Sequence, residues 1–322
     1  MEDPLIWIID EEWNDYDLET ALLREAFPGC DIRRSAYDYE QDLENFGRRA
    51  DAIIAQVYAS LPGAVINTLA RCRIIAVYGG GYDRVDIGAA RQKGIAVTNV
   101  SGYCAEDLAD YVMAAVYHGN KRLGAFSAAI QSGNWGARTT DSPPLRLSRS
   151  VLHIIGLGYI GRTVAKRARA LNMTVSAYDP HVDAETMSAL GVRKTAWDEG
   201  LAGADYISIN AILIPETVDL INYEDFKKMK RSAWLINTAR GKVINEGALR
   251  RAAAEKLIRG AVLDVIAHEP PSPDEPILAG EGILVTPHVS YISRQSYDEL
   301  KRRAAGNVIL HLRGAVSADC VN

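Results

Sequence analysis

The chain has 322 residues, 48% of them hydrophobic and 24% charged, with 36 basic against 41 acidic side chains and a net charge of −5. That is ordinary globular composition, long enough for two domains. No long basic block, acidic tail or apolar run approaching ~18 residues occurs, so nucleic-acid binding, a solvating arm and a membrane span are not expected. The opening MEDPLIWIIDEEW carries acids where a signal peptide carries base, and the four cysteines (Cys30, Cys72, Cys104, Cys320) form no CxxC. A reducing, cytoplasmic setting with no metal site is therefore expected.

The first hundred residues alternate strand-like and helix-like runs. Strands are expected at Leu5–Ile9, Asp31–Ser35, Ala52–Ala55, Arg73–Val77 and Ile95–Val100, with helices over Leu18–Phe27 and around Ile66–Ala70. Alternating β and α predicts a parallel sheet with helices on both faces. Tyr78-Gly79-Gly80-Gly81-Tyr82-Asp83 leaves the fourth strand at its carboxyl end, the edge where open α/β sheets bind ligands. Its exposed N–H groups suit an anion such as a carboxylate; a tight turn without a ligand is the plainer reading.

Gly102–Arg122 reads as a long helix, with Leu108, Ala109, Val112, Ala115 and Val116 in its apolar stripe and Glu106 and Asp107 near its start. It would carry the chain into a second domain. Residues 131–149 are polar and irregular, which suits a functional loop or a contact arm.

Ser150–Asp179 organises the rest. The buried run Val151–Ile155 is followed at once by Gly156-Leu157-Gly158-Tyr159-Ile160-Gly161, then by an amphipathic helix, then by the strand Thr174–Tyr178 and Asp179. In a dinucleotide-binding βαβ unit Gly156 permits the turn, Gly158 lets the backbone approach a pyrophosphate, and Gly161 allows close packing of helix on strand. The helix start attracts phosphate through its free N–H groups and dipole. Asp179, 18 residues beyond Gly161, can accept hydrogen bonds from ribose hydroxyls and repel a 2′-phosphate, which favours NAD over NADP. Taken alone, Asp179 before Pro180 could be a turn residue.

Four more strands are expected at Ala204–Asn210, Ala233–Thr238, Gly260–Val265 and Ile283–Thr286, with helices over Tyr223–Lys230, Glu246–Leu257 and Ser296–Arg313. Arg240, Asp264, Glu269 and His288 fall just past these strand ends. Hydride transfer to a carbonyl needs a group that exchanges a proton near neutral pH, a carboxylate that orients it, and a fixed cation for an anionic substrate. His288, Glu269 and Arg240 match those three needs. Singly, each could be a surface pair, a loop acid or a structural histidine.

Taken together, Tyr78–Asp86 (YGGGYDRVD), Gly156–Gly161, Asn237–Gly241 (NTARG), Gly260–Pro270 (GAVLDVIAHEP) and Thr286–His288 (TPH) make the chain similar to the D-isomer-specific 2-hydroxyacid dehydrogenases over nearly its whole length. Within that family it resembles the branch of the C-terminal-binding proteins through Glu106-Asp107-Leu108-Ala109-Asp110, His288-Val289-Ser290-Tyr291 and Cys320-Val321-Asn322. The resemblance implies a flavodoxin-like substrate domain (residues 1–102 and 293–322) and a Rossmann NAD domain (103–292), with a cleft between them and a homodimer built through the NAD domain.

It implies His288 as acid/base, Glu269 as its partner, and Arg240 as the ligand of the substrate's carboxylate and reacting oxygen. Gly80 and Gly81 would hold the same carboxylate, and Tyr291 would line the substrate pocket. Tyr159 and Ile160 would meet the pyrophosphate; Ala211, Thr238, Ala239 and Asp264 would lie along the cofactor. Three departures are evident: Ala211-Ile212-Leu213-Ile214 lacks the usual polar residues, Val77 stands where the corepressor branch has arginine, and Tyr291 where it has tryptophan. The expected reaction is reversible reduction of a 2-keto acid to a D-2-hydroxy acid. The rival reading is an NAD(H)-sensing scaffold or corepressor-like regulator.

Overall fold

The computed structural model describes residues 3–140 and 143–322; Asp141 and Ser142 of the expected 131–149 arm lie outside the described residues, as do Met1 and Glu2. The chain begins as β1 (Leu5–Ile9), α1 (Asp17–Ala26), β2 (Asp31–Ser35), α2 (Glu40–Asn45), β3 (Ala52–Gln56), α3 (Gly63–Ile66), β4 (Ile74–Tyr78), α4 (Ile87–Gln92) and β5 (Ala96–Thr98). It continues as α5 (Ala105–Lys121), α6 (Leu123–Gln131), β6 (Val151–Ile155), α7 (Tyr159–Ala170), β7 (Thr174–Tyr178), α8 (Ala184–Ala189), β8 (Arg193–Lys194) and α9 (Trp197–Gly203). Then come β9 (Tyr206–Ile209), α10 (Tyr223–Lys228), β10 (Trp234–Asn237), α11 (Glu246–Ala254), β11 (Gly260–Leu263), β12 (Ile283–Val285) and α12 (Arg294–Leu312).

Two compact units result. Met1–Tyr103 with Ile292–Asn322 forms one, and Cys104–Tyr291 the other. The first holds a parallel five-stranded sheet in the order β2-β1-β3-β4-β5, a flavodoxin-like arrangement. Alternate residues of β1 serve its two faces: Trp7 and Ile9 pack with Leu43, Phe46, Ile66 and Leu69, while Ile6 and Ile8 pack with Leu300, Ala304 and Val308 of α12. The second unit holds a parallel seven-stranded sheet, β12-β11-β10-β9-β6-β7-β8, with Rossmann winding outward from β6. One face is covered by α5 and α7, the other by α9, α10 and α11.

Several expected bounds move. The helix around Ile66–Ala70 ends at Ile66, because the Thr68 hydroxyl donates to the Val65 carbonyl and Ala70 N–H is drawn to Arg48 O. The long linker helix stops at Lys121, where Arg122 turns left-handed (φ 47°), and α6 follows at once. That helix was not expected from the sequence.

His153 of β6 is completely buried between Ser176 Oγ (3.0 Å from Nδ1) and Gly200 of α9. Burial pushes its pKa down to about 4 from 6.5. The neutral ring therefore supports the fold fully above pH 6.5, and that support is lost as pH falls toward 4, about 3 kcal/mol in all. We expect urea midpoints of the wild type to decline more steeply across this window than those of His153→Leu. Parallel declines would remove this account.

Candidate active site

The site is built on the carboxyl edge of the seven-stranded sheet. Gly156 leaves β6 at φ 89°, a conformation open to glycine, and a Cβ there would meet Asn210 O and Ala211 N at 2.8 and 2.9 Å. The glycine loop is thus pressed against the end of β9, at the switch point between β6 and β9 where doubly wound sheets bind ligands. Gly161 sits against the Gly156 carbonyl, and a Cβ on Gly158 would have nothing within 4 Å, leaving room for a phosphate. Gly158 caps α7, and Tyr159, with its ring exposed, and Ile160 occupy the first turn, where the N–H groups face out.

Asp179 stands at the end of β7. Its carboxylate accepts from Leu157 N–H (2.8 Å) and His181 N–H (2.8 Å), so it also closes the glycine loop. Thr238 and Ala239 follow β10. Thr238 Oγ1 and Asn210 Oδ1 are buried polar atoms with no protein partner among the described residues. An open approach at Gly158, the outward N–H groups at the start of α7 and two orphaned polar atoms along one sheet edge fit a bound dinucleotide. The exposed Ile212 in Ala211–Ile214 leaves backbone and apolar contacts there.

Past β10, Asn237 braces the NTARG turn: its Nδ2 donates to Arg240 O (2.9 Å) and its Oδ1 accepts from Ala239 N–H (3.0 Å). Arg240 is half-buried, with Nη1 donating to Ala239 O. A Cβ on Gly241 would fall 1.8 Å from the carbonyl carbon of Ile266, so only glycine lets this turn touch the loop that carries Glu269. Glu269 Oε1 accepts from Ile266 N–H (2.9 Å), and the following peptide to Pro270 is cis. Glu246, at the start of α11, holds the same loop through Ala267 N–H (2.6 Å), and burial pushes its carboxyl up.

His288 follows β12 in a left-handed conformation (φ 53°), an uncommon state for a non-glycine residue. Its Nδ1–H donates to Glu269 Oε2 at 3.0 Å. Burial pushes the Glu269 carboxyl up, but the His288 hydrogen bond and charge, the Ile266 N–H and the Arg240 guanidinium outweigh it and hold it below its ordinary value. Tyr291 is buried and meets the His288 ring edge to face, centroids 6.3 Å apart.

Asp264 directly follows β11. It is 1% exposed, and its carboxylate is engaged by Thr286 Oγ1, Val289 N–H (2.9 Å) and Ser290 N–H (2.7 Å), while its carbonyl accepts from His288 N–H (2.9 Å). These bonds shape the His288 loop. Tyr111 of α5 bonds Thr286 and so joins the same support. Asn237, Glu246, Tyr111 and Thr286 were not singled out from the sequence. Only Asn237 and Thr286 lay inside quoted motifs, and nothing local marks the other two.

Gly80 and Gly81 belong to the other unit, just past β4. Among the described residues neither backbone N–H donates to a protein acceptor. No helix among the described residues is long and apolar enough to cross a membrane.

The family model described as "D-isomer specific 2-hydroxyacid dehydrogenase, NAD binding domain" matches residues 113–290. A glyoxylate reductase of Korarchaeum cryptofilum is 33% identical over 276 residues, covering 84% of this chain and 82% of the relative. A D-3-phosphoglycerate dehydrogenase of Archaeoglobus fulgidus is 32% identical over 314 residues, covering 98% of this chain but 58% of the relative. The crystal structure of D-lactate dehydrogenase from Aquifex aeolicus, complexed with NAD and lactic acid, superposes with a TM-score of 0.85 at 26% identity, covering 96% of each chain. The chain belongs to the NAD-binding D-isomer-specific 2-hydroxyacid dehydrogenase family.

Proposed function

We propose that this protein is an NAD-dependent dehydrogenase that interconverts a 2-keto acid and a D-2-hydroxy acid, with His288 as acid/base. The observation that carries this reading is the Glu269–His288 pair at 3.0 Å, beside Arg240 on the dinucleotide edge of the sheet. The chemistry supplied by the dinucleotide when bound is a hydride for C2 of the keto acid. His288 Nε2 donates a proton to the C2 oxygen, and Glu269 balances the imidazolium that gives it. Arg240 holds the substrate carboxylate and stabilises the negative charge that develops on the oxygen. Gly80 and Gly81 offer N–H groups to a substrate carboxylate, and Tyr291 limits how the His288 ring can turn. Tyr159, Ile160, Thr238 and Ala239 serve the dinucleotide.

Glyoxylate belongs among the candidate substrates on the strength of one relative's name, and a keto acid with a side chain on the strength of another's. A panel of 2-keto acids assayed with NADH tests the reading: at least one should be reduced with saturation kinetics. No turnover across the panel would sink it.

Asp179 should enforce NAD over NADP, since a 2′-phosphate would meet its carboxylate. We expect Asp179→Ala to narrow the ratio of kcat/KM with NADH to that with NADPH. Equal use of both by the wild type would remove Asp179 from this role.

The regulator reading leans on the Glu106–Asp110 motif. Both acids pair with Arg167 of α7, at 3.3 Å for Glu106 and 2.7 Å for Asp110, which supports a brace between helices and not a partner site. We therefore favour the enzyme over the corepressor-like branch. Free cysteines support a reducing, cytoplasmic compartment. Leu123 (76% exposed) and Trp135 (79%), with Ile130 and Leu145, leave apolar surface along the 123–145 arm, which supports a homodimer. Light scattering at micromolar concentration should return twice the chain mass; a monomer would exclude it.

A further inference from the structure

The loop Gly79–Gly81 is held from behind by a short relay whose last member is the closing Val321-Asn322. β5 is an edge strand of three residues and would otherwise present a bare edge. Residues 319–322 cover it. Val321 N–H donates to Val97 O (2.9 Å), Thr98 and Cys320 form an antiparallel bridge, and Asn99 N–H donates to Asp319 O (3.2 Å). The Asn322 side chain makes two more bonds, accepting from Val97 N–H (2.8 Å) and donating to Ile95 O (2.8 Å).

Asp319 is itself tied to α12. Arg303 reaches it with Nη2 at 2.7 Å and Nε at 3.3 Å, and Asn307 Nδ2 with a bond of 3.2 Å. Arg303 Nη1 also donates to Ser101 O (3.0 Å).

From this anchored strand two donors reach the glycine loop. Val100 N–H donates to Gly79 O (2.8 Å), and Asn99 Nδ2 donates to Gly80 O (2.7 Å). In a planar trans peptide the carbonyl and the next N–H point in opposite directions. Pinning the carbonyls of Gly79 and Gly80 toward residues 99–100 therefore turns the N–H groups of Gly80 and Gly81 away from them, side by side. Glycine peptides flip readily, so two adjacent N–H groups aimed one way need such a clamp. Asn99 is 8% exposed, which makes its bond to Gly80 costly to leave unmade.

We propose that Asn99, held in place by residues 319–322, is a positioning residue for the substrate carboxylate, acting through the peptide planes of Gly80 and Gly81. The proposal rests on the reading that those two N–H groups bind the carboxylate. It assigns the closing residues a part in substrate affinity that edge coverage alone would not need.

The test uses the full chain and oxalate, a dicarboxylate that cannot be reduced, as the probe. Asn99→Ala should raise the oxalate inhibition constant and the keto-acid KM about tenfold. Its kcat and its NADH dissociation constant should stay near those of the wild type, a split that a general loss of structure would not produce. Asn322→Ala leaves Asn99 intact and should shift the same two constants in the same direction by less. Gly81→Pro removes one N–H outright and reports on the underlying reading. If Gly81→Pro loses oxalate while Asn99→Ala and Asn322→Ala bind it like the wild type, the proposal is overturned and the carboxylate reading stands. If Gly81→Pro binds oxalate unchanged, the carboxylate reading falls, and the proposal with it.

Discussion

Replacing His288 by alanine should lower kcat/KM for the best keto acid by ~10²–10⁴-fold, the range typical of a lost general acid, while NADH binding is retained. The expectation follows from geometry. Nδ1 is committed to Glu269 at 3.0 Å, and the loop that presents the ring is closed by Asp264 through Val289 and Ser290. The Glu269 bond and the closed loop thus hold the ring in one orientation. Reduction uses the protonated imidazole, so its rate should fall as pH rises, and oxidation should show the opposite limb. Glu269→Gln removes the carboxylate charge beside the ring at nearly constant shape and should lower kcat/KM for the keto acid while NADH binding is retained. A pure scaffold predicts no turnover to lose, and partner binding indifferent to His288→Ala.

The second large effect is expected at Arg240. Arg240→Ala should cost ~10²–10³ in kcat, the loss usual for one donor aimed at a developing oxyanion, with a raised KM for the keto acid as well. Arg240→Lys keeps the charge but loses the planar fork, so it should recover part of kcat and less of KM. The turn that carries Arg240 is braced by Asn237 and packed at Gly241, and these supports remain when Arg240→Ala removes the Nη1 bond to Ala239 O. Steady-state kinetics on the three proteins, with thermal melts as the control, decide the point. An Arg240→Ala enzyme with unchanged kcat and KM would exclude the residue from the reaction.

How much of this was legible in the sequence varies with the range of the interaction. The strands other than the two-residue β8 could be read, most of them because short apolar runs end in glycine, proline or polar residues, as Val151–Ile155 ends in Gly156. The short helices could not. Glu40–Asn45 and Ala184–Ala189 span under two turns, too few for a period of 3.6 to emerge. Gly156–Gly161 and Asp179 could be read because the spacing within one βαβ unit is local. The partners of Asp264 could not be read, for the opposite reason. Its carboxylate is held by Val289 and Ser290, in a loop that only the fold brings back. Asn99 and Asn322 are of the same kind. Nothing near either residue in the chain points to Gly80 or Ile95.

The measurement that bears most directly on the account is label transfer. The protein is incubated with NADH carrying deuterium at the hydride position and a 2-keto acid that has a side chain. The product is then analysed for position of label and for handedness. The account predicts one deuterium at C2 of the D-2-hydroxy acid and none in His288→Ala over the same time. Product of the L form, or C2 hydrogen drawn from solvent, would contradict it.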